Sequence, residues 1–390
     1  MFKRKSNNDG SPLRVCVVGP GPRFLSGLAY YTHRMAGALA ERHRISVLLL
    51  RQLLPTRLYP GRDRVGDQLV DFEYPAGTRV FNGIDWFWGR TILLAFGLLR
   101  RERPDVIIFH WWTGTVLHSY IALALVARML GIRVVMEFHE VQDPSELAMP
   151  LANRYVKAFA PLLVRLCDGY LVHNEHDRDE LGRVYPLGGK PVAVAAHGPY
   201  DQYGTVADVQ RDADDVCRLL FFGLIRPYKG VEELLEAFDS LTPEEAAKFR
   251  LTIVGETWEG YDAPARAIED SRHRDRIEFI NRYVADDEVG HFFAEADAVV
   301  LPYRRGSASG PLHLAMSRGL PLLVTAVGGL VAAAQDYEGA VMIPPQDPDA
   351  IREGLQALYA LRGRRFEDVH SWDTTLDRYD ELFEQVGLAA

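Results

Sequence analysis

Short runs of uninterrupted apolar residues alternate with stretches of helical periodicity along most of the chain. The run Arg14–Gly19 (RVCVVG) is closed by Gly-Pro-Gly-Pro, and apolar residues then recur at helical spacing from Gly27 through Ala40. This predicts strand, loop, helix. The alternation returns with strands at Ile45–Leu50, Asp105–His110, Arg133–His139 and Gly169–His173. Strands that are apolar on both faces belong in a parallel sheet covered by helices on either side, so this half predicts a doubly wound α/β domain. The polar, aspartate-rich stretch Asp201–Asp215 interrupts the series. It resumes with Arg218–Gly223, Arg250–Gly255, Arg276–Ile280, Ala298–Tyr303 and Pro321–Thr325, which predict a second α/β domain. Ligands of such sheets bind beyond the carboxyl ends of the strands, so the loops after these runs, and the cleft expected between the domains, are where chemistry is sought.

Composition narrows the picture. A chain of 390 residues, 48% hydrophobic and 25% charged, fits two packed domains better than one and excludes a disordered or collagen-like protein. The net charge of −9 has the wrong sign for a nucleic-acid partner. Cys16, Cys167 and Cys217 are far apart, without metal-binding or disulfide-framework spacing, which fits a reducing, cytoplasmic setting. Residues 1–13 read as a disordered basic and polar tail without the apolar core of a secretory signal. The longest apolar stretch, Ile84–Leu99, is too short and too charged to span a bilayer. Trp86, Phe87 and Trp88 with the following Arg100, Arg101 and Arg103 would suit a peripheral membrane contact, on the inner face for a cytoplasmic protein; a core helix is the competing reading.

Three strand-to-helix loops carry candidate chemistry. In the first, Gly19 to Gly27, glycine-rich backbone leads into a helix start, but Phe24 and Arg51 stand where a dinucleotide fingerprint needs a glycine and an acid. In the second, Arg226 and Lys229 lie three residues apart between a strand and the helix VEELLEAF. A guanidinium fork, an ammonium and a helix N-terminus together suit a diphosphate. The third, Pro302 to Pro311, holds Ser307 and Ser309 before a helix with proline in its first turn, as in ordinary capping.

Taken together, these loops and the stretches SGLAYYTHRMAGALAERH, VVMEFHEVQDP, YLVHNEHDRDEL, VAAHGPYDQY, FFGLIRPYKGVEELLEAF, IVGETW, NRYVADDEVGHFFAEADAVVLPY and SGPLHLAMSRGLPLLVTAVGG resemble the family 4 retaining glycosyltransferases of the GT-B architecture. The resemblance covers nearly the whole chain. It implies an α/β GT-B fold of two doubly wound Rossmann-like domains facing each other across a cleft: an acceptor-side domain over 14–204, a linker over 205–217, a nucleotide-sugar domain over 218–370, and a C-terminal helix, 371–390, crossing back. It implies Arg226, Lys229 and His139 as catalytic residues. Donor contacts would come from Ser26, Gly27, Gly255, Glu256, Tyr283, Tyr303, Ser307, Ser309 and Gly310, and acceptor-side contacts from His110, Trp111 and Glu140.

The activity so implied is transfer of a sugar from a nucleoside diphosphate-sugar to an acceptor hydroxyl with retention. The acceptor would be a glycan, a lipid-linked sugar or a small molecule. No cofactor or metal is expected, because cations and helix N-termini neutralise the diphosphate and the DxD-like spellings at Asp177, Asp212 and Asp347 fall in a polar helix, the linker and a helix cap. The chain departs from the family where two glutamates with seven residues between them are usual; Gly306 and Leu314 stand there, in a Ser-Gly loop found in one branch. That departure motivates one alternative, a non-catalytic subunit supporting an active partner; a sugar-nucleotide epimerase is another.

Overall fold

The computed structural model describes residues 12–23, 27–52, 72–142, 149–199, 215–258, 260–306 and 309–388. Most of the expected tail and linker lies outside the described residues, as do Ser26 and Ser307. The chain divides into two compact units: residues 1–198 with 372–390, and residues 199–371.

The first unit is built from β1 (Arg14–Pro20), α1 (Gly27–Leu39), β2 (Arg44–Gln52), β3 (Arg79–Asp85), α2 (Thr91–Glu102), β4 (Val106–Trp111), α3 (Leu117–Met129), β5 (Arg133–Phe138), α4 (Pro150–Leu166), β6 (Gly169–Val172), α5 (Glu175–Val184) and β7 (Val192–Val194). Its seven strands are all parallel in the order β3-β2-β1-β4-β5-β6-β7. The apolar runs of β1 and β4 are buried on both faces, which is why they occupy the middle of the sheet. Arg14 and Asp105 hold adjacent strand starts together through a two-pronged pair at 2.7 and 3.1 Å. One sheet face is covered by α2, α3 and α4. The other is covered by α1 and by a helix from the end of the chain, Trp372–Gln385, which supplies Leu376, Tyr379, Leu382 and Phe383 to that core.

The second unit contains β8 (Cys217–Phe222), α6 (Val231–Asp239), β9 (Phe249–Val254), α7 (Ala263–Asp270), β10 (Ile277–Ile280), α8 (Asp286–Glu295), β11 (Ala298–Leu301), α9 (Gly310–Ser317), β12 (Leu322–Thr325), α10 (Gly328–Ala334), β13 (Ala340–Ile343) and α11 (Pro348–Leu361); the helix that closes the first unit is α12. Its six parallel strands run β10-β9-β8-β11-β12-β13. In each sheet the strand order reverses once, between β1 and β4 and between β8 and β11, so each unit has one switch point where loops diverge and a ligand fits.

The apolar stretch Ile84–Leu99 is not one helix. It finishes β3, turns through Trp88 and Gly89 at φ 60° and 52°, and restarts as α2. Trp88 lies against α3, its indole donating to Ser119 Oγ at 2.8 Å and stacking on His118, while Trp86 meets the edge of the same imidazole. This packing half-buries Trp86 and Trp88, whereas Phe87 between them is exposed.

Candidate functional site

In the first unit, four consecutive strands deliver histidines to one level. His110 is the penultimate residue of β4, His139 and His173 directly follow β5 and β6, and His197 lies three residues past β7. The first three surround Glu137, which pairs in register with His110 and is wholly buried. Glu137 Oε1 accepts a 2.7 Å hydrogen bond from the Tyr31 hydroxyl and lies 3.5 Å from His173 Nε2 and 3.6 Å from His139 Nε2; Oε2 is 3.2 Å from His110 Nε2. His173 Nε2 is 3.1 Å from His139 Nδ1, and its own Nδ1 faces the Ala195 carbonyl at 3.1 Å. The Tyr31 ring packs on His197, His139 and Trp372, with centroids 4.1, 4.8 and 5.7 Å away.

Burial alone would push the Glu137 carboxyl up, but the charges and hydrogen bonds of His110, His173 and Tyr31 outweigh it and hold the group below the ordinary carboxylate range. His139 is held well below the usual imidazole range, first by burial and then by the neighbouring His173, His110 and His197. Burial also lowers His173, against the opposing pull of Glu137. At neutral pH the His139 ring is thus neutral and turns both nitrogens inward. Of the other expected acceptor-side residues, Trp111 is only 3% exposed and packs near Phe138 in the core beneath α2–α4, and Glu140 is half-buried on the loop after His139. Gly27 is exposed at the start of α1.

In the second unit, β8 ends at Phe222 and the chain passes through Gly223 to Arg226, a single tight turn Pro227–Lys229, and α6. The Arg226 guanidinium lies 3.9 Å from the centre of the Trp258 ring, and Nε is buried without a hydrogen-bond partner among the described residues. Lys229 Nζ sits 3.7 Å from the centre of the buried Tyr303 ring. Tyr303 in turn shares a 3.1 Å hydrogen bond with Ser309, whose oxygen accepts from Leu312 N at the head of α9, with Gly310 as its first residue. Arg304, by contrast, is consumed by Glu232 and Glu233 at 2.6 Å each. Arg226 and Lys229 therefore lie over aromatic faces while the neighbouring arginine is neutralised by carboxylates.

Two glycines make this convergence of loops possible. Gly230 has φ 70° and its missing side chain leaves room for the Pro302 carbonyl; Gly255, at φ 145°, does the same for the Gly223 carbonyl. Glu256 accepts a 2.9 Å bond from Ile225 N through its backbone, and Tyr283 is half-buried on the loop after β10. Where the resemblance calls for glutamates, Gly306 lies beside Leu330 and Leu314 is buried in α9.

The structure thus joins Arg226, Lys229, Tyr303 and Ser309 into one group, and His110 and His139 into another. Glu137, His173, His197, Tyr31 and Trp258 belong to these groups and were not singled out by sequence. A signal was present: VIIFH, VVMEFH, GYLVH and VAVAAH each close an apolar run with histidine. As for metals, nitrogens of His139, His173 and His197 approach one another within 4.8 Å, as do ligand atoms of His110, Glu137 and His139. The three cysteines are buried and their thiols pushed up to about 12, which leaves them inert as nucleophiles.

Two Rossmann-like units with parallel sheets, each with its polar groups gathered at the ends of the strands, are the GT-B class of architecture. Within it, residues 26–198 match the glycosyl transferase 4-like domain and residues 217–360 match the glycosyl transferases group 1 family; the chain belongs to these glycosyltransferases. A D-inositol 3-phosphate glycosyltransferase of Geodermatophilus obscurus is 29% identical over 178 residues, 42% of this chain and 39% of that protein. A GDP-mannose:glycolipid 4-beta-D-mannosyltransferase of Xanthomonas campestris pv. campestris is 34% identical over 128 residues, 33% of this chain and 35% of that one. The match thus spans well under half the length of either relative. The catalytic domain of starch synthase IV from Arabidopsis thaliana, solved with ADP and acarbose, superposes with a TM-score of 0.65 at 12% identity, covering 96% of this chain and 99% of that one.

Proposed function

We propose that the protein transfers a sugar from a nucleoside diphosphate-sugar to an acceptor hydroxyl, with the diphosphate held by the second unit. The observation that carries this is the pair Arg226 and Lys229, poised over Trp258 and Tyr303 beside the Ser309-capped start of α9. Breaking the glycosyl–phosphate bond builds negative charge on the departing diphosphate. Arg226 offers a fork to two oxygens, Lys229 a compact charge, and α9 the positive end of its dipole, all fixed before the charge develops. The aromatic faces of Trp258 and Tyr303 hold the two cations in place by cation–π contacts. The ADP in the starch synthase structure supports a nucleoside diphosphate as ligand. No metal is needed in this scheme.

His139 and its neighbours would meet the sugar and acceptor. By the family resemblance the acceptor hydroxyl attacks on the face the phosphate leaves, assisted by a phosphate oxygen, and configuration is retained. A second reading, inversion, is favoured by the Xanthomonas relative, whose name pairs GDP-mannose with a beta-linked product; it needs a base at the acceptor. The same name directs attention to lipid-linked acceptors. The test is turnover of UDP-, GDP-, ADP- and dTDP-sugars by purified protein, with the anomeric configuration of the product read from its one-bond C1–H1 coupling. Absence of donor turnover with a full acceptor panel supports the non-catalytic subunit; an isomerised donor sugar in the absence of acceptor supports the epimerase.

A further inference from the structure

Helices α2, α3 and α4 lie side by side over one face of the first sheet, with their inner sides in a shared core. Their outer sides hold apolar residues in water. Leu93 and Leu94 on α2, Met129 on α3, and Leu151, Phe159 and Leu162 on α4 are exposed, Met129 and Leu151 to 86% and 82%. Of the thirteen large apolar side chains exposed among the described residues, nine fall between Phe87 and Leu162, which separates this face from the single exposed apolar residues found on any protein.

Charge on these helices runs against that of the chain. They carry six basic residues, of which Arg128 is paired with Asp168 at 2.7 Å, and one carboxylate, Glu102, which is engaged by Arg101, on a protein whose net charge is −9. On α4, Leu151, Arg154, Ala158, Leu162 and Arg165 recur at steps of three and four, so apolar and basic groups share one stripe of the helix. All but Ala158 are long side chains, able to place an apolar stem or a charged head at different depths.

We propose that the outer face of α2, α3 and α4 docks on the surface of an anionic lipid bilayer. Leucine, methionine and phenylalanine side chains enter the headgroup boundary while the arginines and Lys157 meet lipid phosphates. Among the described residues no helix is long and apolar enough to cross a membrane, so the attachment is interfacial. The same charges disfavour a second copy of this face, because two acid-poor basic surfaces repel. Nucleic-acid phosphates would satisfy the arginines and leave the leucines without a partner. An acidic protein surface is the remaining competitor, and the experiment separates it.

The proposal stands on the surface of the first unit alone, so vesicle binding and donor turnover can fail independently. Full-length protein is floated with vesicles of phosphatidylcholine alone and with 30–40% phosphatidylglycerol (about that range suffices to set a strongly negative surface potential). Wild type is expected to float with the anionic vesicles and to be released by salt. Arg154→Gln/Lys157→Gln/Arg165→Gln should weaken binding roughly a hundredfold, about fivefold per charge. Leu151→Ser/Phe159→Ser/Leu162→Ser should abolish flotation while circular dichroism and melting stay as in wild type, as exposed positions allow; should that variant fail to fold, Leu93→Ser/Leu94→Ser on α2 repeats the measurement. Folded wild type that does not float with anionic vesicles at low salt overturns the proposal. So does equal flotation by the variants, or a vesicle-independent protein complex that the same substitutions dissolve.

Discussion

Replacing Glu137 with glutamine preserves volume at the end of β5 and an acceptor for Tyr31, yet removes the charge that faces His110, His139 and His173. Glutamine offers one oxygen where the carboxylate turns two toward Tyr31 and the imidazoles, and a buried polar group left without its partner costs about 1–3 kcal/mol. In a unit of this size each kcal/mol lowers Tm by roughly 2–4 °C, so Glu137→Gln should lower the transition of the first unit by about 2–12 °C. The pH dependence has a definite sign. Glu137 is held below its ordinary range, so its contribution is present above the unfolded carboxylate value and is lost as pH falls through the folded one. His139 and His173 are also held low, so below about pH 6.5 the unfolded chain binds protons that the folded chain refuses, and stability again falls with pH. The histidine effect governs the interval from pH 7 to 5, and the glutamate effect adds to it only below the ordinary carboxylate range. Wild-type Tm should therefore decline from pH 7 toward pH 5, and more steeply in the variant, whose imidazoles have lost their counter-charge. Scanning calorimetry across that interval measures it. A variant melting within about 2 °C of wild type at pH 7, with the same slope, would refute the buried-charge argument.

Arg226→Ala and Lys229→Ala should each reduce kcat by about 10²–10³ while circular dichroism stays unchanged, since each removes a contact to charge that grows during reaction; steady-state kinetics on the preferred donor measures it. Activity should survive EDTA, and an activity lost to chelation and restored by zinc only while His139, His173 and His197 are intact would move the chemistry onto a metal. A nucleoside diphosphate at a hundred times its Kd should stabilise the second unit by about 2.7 kcal/mol, an effect absent in the Arg226→Ala/Lys229→Ala double variant; differential scanning fluorimetry reads it. Gly230→Ala forces a side chain into the Pro302 carbonyl at φ 70°, and should destabilise the second unit by about 1–3 kcal/mol, visible in its melt.

The central strands were legible because a buried parallel strand needs no periodicity, only an apolar run: RVCVVG, DVIIFH and RLLFFG all sit mid-sheet. The missed strands are at edges. β3 is exposed along its first half and interrupted by Asn82-Gly83, β7 is three residues long, and β13 is a half-exposed AVMI whose partner β12 defines it. For the site, Arg226 and Lys229 stood out because two cations in a strand-to-helix loop are visible locally. The partners that hold them are not: Trp258 and Tyr303 come from other loops, 32 and 74 residues away along the chain. Glu137 was hidden for the opposite reason. A carboxylate inside VVMEFH reads as the polar face of a strand, and only the arrival of His110, His173 and Tyr31 from three other elements explains why it is buried.

The place of α12 has a consequence for biosynthesis. One face of the first sheet is closed by residues near the far end of the polypeptide, including Tyr379, whose hydroxyl lies 3.4 Å from that of Tyr31. A ribosome that has finished β7 must still make residues 199–371 before α12 appears, a delay on the order of ten to thirty seconds at roughly 5–20 residues per second. Throughout that interval the apolar groove for Leu376, Leu382 and Phe383 stands open on the nascent chain, while the later unit has everything it needs to fold first. The part of the protein translated earliest is thus the last to be completed, and the uncovered groove is where a chaperone would engage it.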